Sequence, residues 1–328
     1  MGQQDQVMAD ARAFMKSRVI LTAAELNFFT HLHEGAATAV TLADKLDLDV
    51  RATTRILDCL AGFRLLNKED GLYSLTEDGA FYSERHPETV LPMIHHLNHL
   101  WDTWSSLTNI VKIGLDPETK PGIQMDEEEW TSFIGAMHVV GREVSEKIAE
   151  AYDLSRYRRL LDIGGASGTY TIAFLRKNPA MSAVIFDLEG VIPMARERIR
   201  KEGFAERVEL VAGDFYKDEL PPDCDLALLS AIIHQNNVEE NVSLYRKICR
   251  ALEPGGTILI RDYVMNELRT KPPAGALFDI NMLVATRGGK TYTFSQIEDS
   301  LREAGFENIT LARQGEGMDS LVEARKPA

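Results

Sequence analysis

Residues 160–168 read LLDIGGASG, and this stretch decides how the chain folds. Apolar residues typical of a buried strand run into a glycine-rich turn, and a helical pattern follows over residues 170–177. Glycines permit a tight turn and let a ligand approach the backbone closely. In an open α/β sheet, nucleotides bind at such a turn. The stretch therefore predicts an α/β domain with a nucleotide site.

From about residue 158 onward, short apolar strands alternate with amphipathic helices. The predicted strands are 159–164, 183–188, 208–213, 224–233, 257–264, 309–313 and 320–324. Helices fit between the first five strands, which indicates a parallel sheet covered on both faces. A short glycine-containing segment joins the last two strands, and it predicts an antiparallel hairpin at one edge of the sheet.

Acids stand at the ends of the first three strands. Asp162 lies just before the glycines, where a carboxylate repels phosphate and suits a cation such as an α-amino group. Asp187 closes the second strand, just before Leu188, and its two oxygens suit the two hydroxyls of a ribose. Asp214 closes the third strand and suits an adenine amino group, with Phe215 packing on the ring.

This order of acids matches a ligand with an amine, a ribose and an adenine but no phosphates. The glycine spacing also differs from the GxGxxG pattern of dinucleotide sites. S-adenosylmethionine fits this description, and NAD does not. The predicted cofactor-binding residues are Asp162, Gly164, Gly165, Gly168, Asp187, Leu188, Asp214 and Phe215.

The first 155 residues read almost entirely as helices, beginning with a helical pattern over residues 7–29. Helices 41–46 and 50–63, followed by a small hairpin over 64–75, predict a winged helix-turn-helix. Such a unit binds DNA in some proteins and serves as a dimerisation or lid module in others. Residues 1–100 hold 9 Lys/Arg against 14 Asp/Glu, a net charge of −5, which argues against phosphate contacts.

A further apolar helix is predicted over residues 88–113. His95 and His99 share one face at metal-ligand spacing, but the stretch has no HExxH pattern and no obvious third ligand, so we expect no metal. Two interpretations stay open: His99 and Trp104 line a substrate cavity, or the helix is ordinary core with surface histidines.

Composition excludes several classes of partner. The 328 residues carry a formal net charge of −14, whereas nucleic acids and anionic membranes attract basic surfaces. The three cysteines form no CxxC pair, which is typical of a reducing compartment. No apolar run approaches the roughly 18 residues that span a bilayer, and the N-terminus is too polar for a secretory signal. We expect a cytoplasmic protein that binds neither nucleic acid nor membranes.

Over nearly its whole length the chain resembles the class I small-molecule O-methyltransferases of the caffeate, acetylserotonin and bacterial polyketide-tailoring type. The similar blocks are LDIGGASG, FDL, GDF, LLSAIIHQNN, LEPGGTILIRDYV, DINML, GGKTYTF and LREAGF. The resemblance implies a Rossmann-like, seven-stranded methyltransferase sheet in residues 156–328. It also implies that residues 1–155 form a helical, winged-helix domain for homodimerisation and for covering the substrate. The implied reaction methylates a hydroxyl of a small aromatic or polyketide-like acceptor.

The resemblance assigns residue roles by position. His234 matches the catalytic base, and Asp262 falls where an acid orients that base. Met137 and Met282 lie where the acceptor pocket is lined. Ser230 stands where the family has a lysine that contacts the cofactor.

Two further departures concern the surroundings of the base. Gln235 and Thr291 replace two acids of the family, so the base has one acidic supporter instead of two. Two alternatives to an O-methyltransferase therefore stay open: an enzyme of the same fold that methylates carbon or nitrogen, and a regulator that binds the cofactor without catalysis.

Overall fold

The computed structural model describes residues 2–115 and 127–328, which group into two compact units. Unit one holds residues 2–101 and 127–139, and unit two holds 102–115 and 140–328. The expected domain boundary between residues 155 and 156 stays a prediction.

Unit one is mainly helical and carries a small antiparallel sheet. The helices up to residue 151 are α1 (Gln3–Glu25), α2 (Phe28–His33), α3 (Ala39–Leu46), α4 (Val50–Gly62), α5 (Glu77–Ala80), α6 (Leu91–Ser105), α7 (Leu107–Ile113) and α8 (Glu127–Ala151). The strands are β1 (Ala37–Thr38), β2 (Leu66–Glu69) and β3 (Leu72–Leu75), in the order β1-β3-β2. Helix α7 lies in unit two, and α6 and α8 contribute to both units.

Local rules explain the winged helix of α3, α4, β2 and β3. The Asp49 side chain accepts a hydrogen bond from the Ala52 backbone N–H and so caps α4, which buries Leu57 and Leu60 completely. Asp70 and Gly71 both adopt positive φ, as a two-residue hairpin turn requires. The predicted winged helix is confirmed.

Two predicted helices are each broken in the structure. Asn27 adopts φ 59° and separates α1 from α2 inside the stretch expected as one helix over 7–29. Residues 88–113 likewise give two helices, α6 and α7, which are separated at Ser106. The apolar spacing runs through both breaks, so periodicity alone did not show them.

Unit two is a seven-stranded sheet with helices on both faces. Its remaining elements are β4 (Arg159–Ile163), α9 (Thr169–Lys177), β5 (Ser182–Asp187), α10 (Ile192–Lys201), β6 (Val208–Ala212), β7 (Cys224–Ser230), α11 (Val238–Ala251), β8 (Leu252–Asp262), β9 (Val264–Met265), α12 (Pro273–Ala285), β10 (Tyr292–Thr293), α13 (Phe294–Glu303), β11 (Glu307–Arg313) and β12 (Ser320–Arg325).

The strand order of the large sheet is β11-β12-β8-β7-β4-β5-β6. Strands β8, β7, β4, β5 and β6 are parallel, and β12 runs antiparallel to both of its neighbours. This confirms the predicted α/β class and the antiparallel hairpin at one edge. Two predicted strands ended too late, because β7 ends at Ser230 and β8 ends at Asp262; β8 also begins earlier than predicted, at Leu252. Beyond β7 the chain turns into a short 3-10 helix, Ile233–Gln235.

Side chains alternate between two cores. Leu161 and Ile163 of β4 pack on one face with residues of α11 and α13, whereas Leu160 packs on the other face with residues of α8 and α9. Since the parallel strands are buried on both faces, the ligand-accessible part of the sheet is the edge at their carboxyl ends. Over the described residues, no helix is long and apolar enough to cross a membrane.

Candidate active site

The glycine turn between β4 and α9 is packed too tightly for larger residues. Gly164 and Gly168 have φ of 66° and 79°, a region that side chains rarely adopt. A Cβ atom at Gly164 would lie 2.7 Å from Cδ1 of Ile232, and one at Gly168 would lie 2.9 Å from Cδ1 of Ile185. The turn therefore presents bare backbone at the carboxyl edge of the sheet.

Asp187 ties the end of β5 to this turn. Its Oδ2 accepts a hydrogen bond from the Ala166 N–H at 2.7 Å, and its Oδ1 accepts one from the Leu188 N–H at 2.7 Å. Burial raises the pKa of Asp187, although the two N–H groups partly offset this rise. Because each carboxylate oxygen has two lone pairs, the group retains capacity for two more donors.

Asp162 lies beneath the turn and not in the open. The side chain is 1% exposed and accepts a hydrogen bond from the Thr171 hydroxyl at 2.6 Å. A Cβ atom at Gly165 would lie 2.8 Å from the carboxyl carbon of Asp162. Burial, with a smaller contribution from the charge of Asp187, raises the pKa of Asp162 to about 6.

Asp214 and Phe215 follow β6 on the same edge. Asp214 forms an ion pair with Lys217 at 2.8 Å and accepts a hydrogen bond from the Tyr216 N–H. Burial alone would raise the pKa of Asp214, but these two partners outweigh it and hold the pKa below its usual value. The Phe215 ring comes within 3.9 Å of the position that a Cβ atom would take at Gly164. The structure thus brings the ends of β4, β5 and β6 to one place.

His234 and Asp262 form a buried pair at the neighbouring strand ends. Nδ1 of His234 lies 2.8 Å from Oδ2 and 3.0 Å from Oδ1 of Asp262, and the two residues are 5% and 1% exposed. Since a carboxylate only accepts hydrogen bonds, Nδ1 carries a proton, and in the neutral imidazole Nε2 then has a free lone pair. The Tyr263 N–H also donates to Oδ1 of Asp262. The ring of Phe278 packs edge-on against the imidazole, with centroids 4.8 Å apart.

A buried polar network that sequence reasoning missed fixes the 3-10 turn of His234. Asn241 donates to the backbone oxygen of Ile233, and Asn236 donates to the side-chain oxygen of Asn241. Tyr292 donates to the backbone oxygen of Asn236, and Tyr216 donates to its side-chain oxygen, both at 2.5 Å. In the sequence, only the position of Asn236, two residues after the histidine, could have indicated this network. Its partners Tyr216, Asn241 and Tyr292 lie in other parts of the fold.

Gln235 and Thr291 stand at the two positions where the family has acids. Gln235 lies in the 3-10 turn itself. Thr291 donates both its N–H and its hydroxyl to Asp279 on α12, and Asp279 also pairs with Arg269 at 3.2 Å. Among the described residues, Asp262 is therefore the carboxylate that contacts the histidine.

The predicted acceptor-lining residues divide between the two units. Met282 and Trp104 belong to unit two, where the Trp104 indole N–H donates to Asn281 of α12 at 2.8 Å and Met282 is 1% exposed. Met137 and His99 belong to unit one and are half-buried.

Unit one also has a cavity of its own. A space of about 410 Å³ is lined by residues that include Leu91, Pro92 and His95 of α6. The residues that the structure describes include no cluster of three His, Cys, Asp or Glu side chains suited to a metal ion.

The site combines a glycine turn, acids at successive strand ends and a buried histidine–aspartate pair. This combination is typical of transferases that use a cofactor containing a nucleoside. The chain belongs to the O-methyltransferase family: residues 120–307 match the O-methyltransferase domain, and residues 8–85 match the O-methyltransferase dimerisation domain. The family and the dimerisation domain predicted from the sequence are confirmed.

Individual relatives match more than nine-tenths of the chain. The 3-hydroxy-5-methyl-1-naphthoate 3-O-methyltransferase of Streptomyces sahachiroi is 30% identical over 92% of this chain and 89% of its own length. The acetylserotonin O-methyltransferase of Gallus gallus is 28% identical over 95% of this chain and 94% of its own length. The solved structure of PigF with S-adenosylhomocysteine (SAH) is 26% identical, with a TM-score of 0.88 over 99% of this chain and 100% of that one. At the level of the family, S-adenosylmethionine is confirmed as the cofactor.

Proposed function

We propose that this protein transfers a methyl group from S-adenosylmethionine to a hydroxyl of a small aromatic or polyketide-like acceptor. The buried pair of His234 and Asp262 carries the proposal, because it places a proton acceptor at the same sheet edge as the glycine turn. The acceptor class rests on the names of the relatives, which include a hydroxynaphthoate and an acetylserotonin methyltransferase.

The residues at the sheet edge fit the cofactor. The turn at Gly164, Gly165 and Gly168 carries no side chains of its own that would keep a ligand away from the backbone. Asp187 would accept the ribose hydroxyls with its remaining lone pairs. Asp214 with Phe215 would hold the adenine.

The neighbours of these residues have supporting roles in this proposal. Leu188 donates its N–H to Asp187 and so orients the ribose acceptor. Asp162, buried under the turn, would stabilise the amino end of the ligand through charge at short range. Ser230 lies at the end of β7, next to the turn.

Bound S-adenosylmethionine supplies a methyl group on a positively charged sulfur. Nε2 of His234 would take the proton of the acceptor hydroxyl as its oxygen becomes nucleophilic, and a positioned base of this kind contributes about 10²–10⁴-fold in rate. Asp262 holds the proton on Nδ1 and stabilises the positive imidazolium. Phe278 restricts rotation of the ring and excludes water from one side.

The residues proposed to line the acceptor pocket are Met282, Trp104, Met137 and His99. We also propose a homodimer formed through the N-terminal domain, with residues 1–155 covering the substrate and residues 156–328 binding the cofactor. Helix α1 supports the dimer because Phe14 and Met15 are 54% and 56% exposed.

The test of the function is His234→Gln. S-adenosylmethionine would be mixed with 3-hydroxy-5-methyl-1-naphthoate or N-acetylserotonin, and SAH formation would be measured. We expect the unmodified chain to methylate at least one of them, and His234→Gln to lower kcat at least about 100-fold with unchanged SAH affinity. A variant that keeps its full rate refutes the general-base role and favours a carbon or nitrogen acceptor.

A further inference from the structure

The guanidinium of Arg261 on β8 is buried at the carboxyl edge of the sheet. The residue is 7% exposed. Its Nε donates to the backbone oxygen of Met318 at 2.6 Å, and its Nη1 donates to the Ser230 hydroxyl at 3.0 Å. The guanidinium also stacks on the ring of Tyr170, with its central carbon 5.0 Å from the ring centroid.

This cation has no anionic partner within the described residues. In the described part of the chain, no carboxylate oxygen lies within 4.0 Å of the Arg261 nitrogens. Asp319, on the neighbouring hairpin, pairs instead with Arg313 at 2.9 Å. Buried charges in proteins are normally paired, because removing an isolated charge from water is costly.

A second polar group beside the guanidinium is also unsatisfied. The hydroxyl of Tyr170 is buried next to Ser230, and within the described part of the chain no group meets it with full hydrogen-bond geometry. Buried hydroxyls are seldom left without a partner. The guanidinium and the Tyr170 hydroxyl both lie next to the Ser230 hydroxyl. Such a group of donors suits an anion, and a carboxylate matches the planar fork of arginine.

The register of the sheet shows where this site lies. Ile163 pairs with Leu229, and Ser230 pairs with Arg261, so Gly164, Ser230 and Arg261 lie at the same level of three adjacent strands. By the alternation along each strand, Ser230 and Arg261 share the face of Leu228 and Leu259, which packs on α8 and α9. Asp162 lies on this same face of β4.

We propose that Arg261, Tyr170 and Ser230 bind the α-carboxylate of the cofactor's amino-acid end. The order along the sheet edge supports this: Asp214 on β6 for adenine, Asp187 on β5 for ribose, the glycine turn after β4, and then Ser230 and Arg261 on β7 and β8. An amino acid is a zwitterion, and this face offers Asp162 for its positive end and Arg261 for its negative end. The inference rests on the proposed function.

The test compares two ligands that differ at this end. SAH carries the amino-acid group, and 5′-methylthioadenosine has the same adenine, ribose and thioether without it. Calorimetric titration of the full chain should show tighter binding of SAH. In Arg261→Gln we expect SAH to bind about 10–100-fold more weakly while 5′-methylthioadenosine changes less than about twofold. Decarboxylated SAH, which lacks only the carboxylate, should bind equally to the unmodified chain and to Arg261→Gln.

Tyr170→Phe is a second variant that tests the site even if Arg261→Gln fails to fold. It removes a hydroxyl whose polar neighbour, Ser230, also accepts from Arg261, so we expect a nearly unchanged melting temperature with about 3–10-fold weaker SAH binding. Arg207→Gln is the matched control, since Arg207 donates to backbone oxygens of Met181, Leu175 and Asn178 at the opposite end of the sheet. It should lower the melting temperature and leave the preference for SAH unchanged.

Several results would overturn the inference. In Arg261→Gln, the ratio of the SAH and 5′-methylthioadenosine affinities stays unchanged if neither affinity falls or if both fall equally. Either result means that the arginine is structural or that it binds a different anion, such as an acceptor carboxylate. Failure of the unmodified chain to bind either ligand would instead refute the proposed function itself.

Discussion

Replacing Asp262 with asparagine tests the His234 pair with almost no change of shape. In the native pair, Oδ2 lies 2.8 Å from Nδ1, while Oδ1 also accepts the Tyr263 N–H at 2.8 Å. The amide has a single acceptor oxygen. If this oxygen stays with Tyr263, the NH₂ group faces Nδ1 and favours the tautomer that carries its proton on Nε2, which is unable to act as a base.

The size of the effect follows from the charges. A carboxylate and an imidazolium whose centres lie about 4 Å apart attract by about 4 kcal/mol at an effective dielectric constant of 20. If the proton is half transferred in the transition state, the neutral amide forfeits about 2 kcal/mol of this. The unfavourable tautomer adds about 1–2 kcal/mol. Together these lower kcat by about 100–1000-fold, at about 1.36 kcal/mol per factor of ten.

The assay is steady-state SAH formation with whichever test acceptor the unmodified chain turns over, together with calorimetry of SAH binding. We expect the dissociation constant of SAH to stay within about twofold of the native value, since the cofactor residues are untouched. Asp225→Asn is the control: Asp225 accepts the backbone N–H groups of Arg158 and Arg159 at the far end of the sheet. Asp262→Asn with kcat within threefold of the native rate would refute the reasoning.

Three further predictions concern stability and the histidine turn. Folding raises the pKa of Asp162 from 3.8 to about 6, so between these pH values the folded state binds more protons than the unfolded state. As the pH rises from below 4 to above 6, the native chain should therefore lose about 3 kcal/mol of unfolding free energy relative to Asp162→Asn. Urea denaturation at several pH values measures this difference. A constant difference between the two chains would contradict this. Gly164→Ala should destabilise by at least about 1–2 kcal/mol in the same assay, whereas Gly190→Ala, which meets nothing within 4 Å, should be nearly neutral. Tyr292→Phe should cost about 1 kcal/mol and lower kcat with little change in KM, because the turn of His234 loses an anchor; equal kcat would show that the network does not position the base.

The sheet and the glycine turn were predictable because each depends on local sequence. Strands β4 and β5 are short apolar runs, and the ends of both carry acids that adjacent parallel strands must bring together. The antiparallel hairpin at the edge follows from a short connection. These features need no knowledge of distant partners.

Other features could not be predicted from local apolar patterns. Asn27 breaks a helix by adopting positive φ, although the apolar spacing continues through it. Tyr292 lies 56 residues from the Asn236 oxygen that it bonds, and only the fold brings them together. The burial of Asp162 was also missed, since the sequence placed it next to the ligand without showing that Gly165 and Thr171 would cover it.

The closeness of Asp162 and Asp187 has a consequence for turnover. The charge of Asp187 opposes ionisation of its buried neighbour, so electrostatic repulsion is built into the turn before any ligand arrives. A cation relieves this repulsion, and the methyl donor carries one more positive charge than the spent product. The donor should therefore bind more tightly than the spent product, and so compete with it for the site at equal concentration.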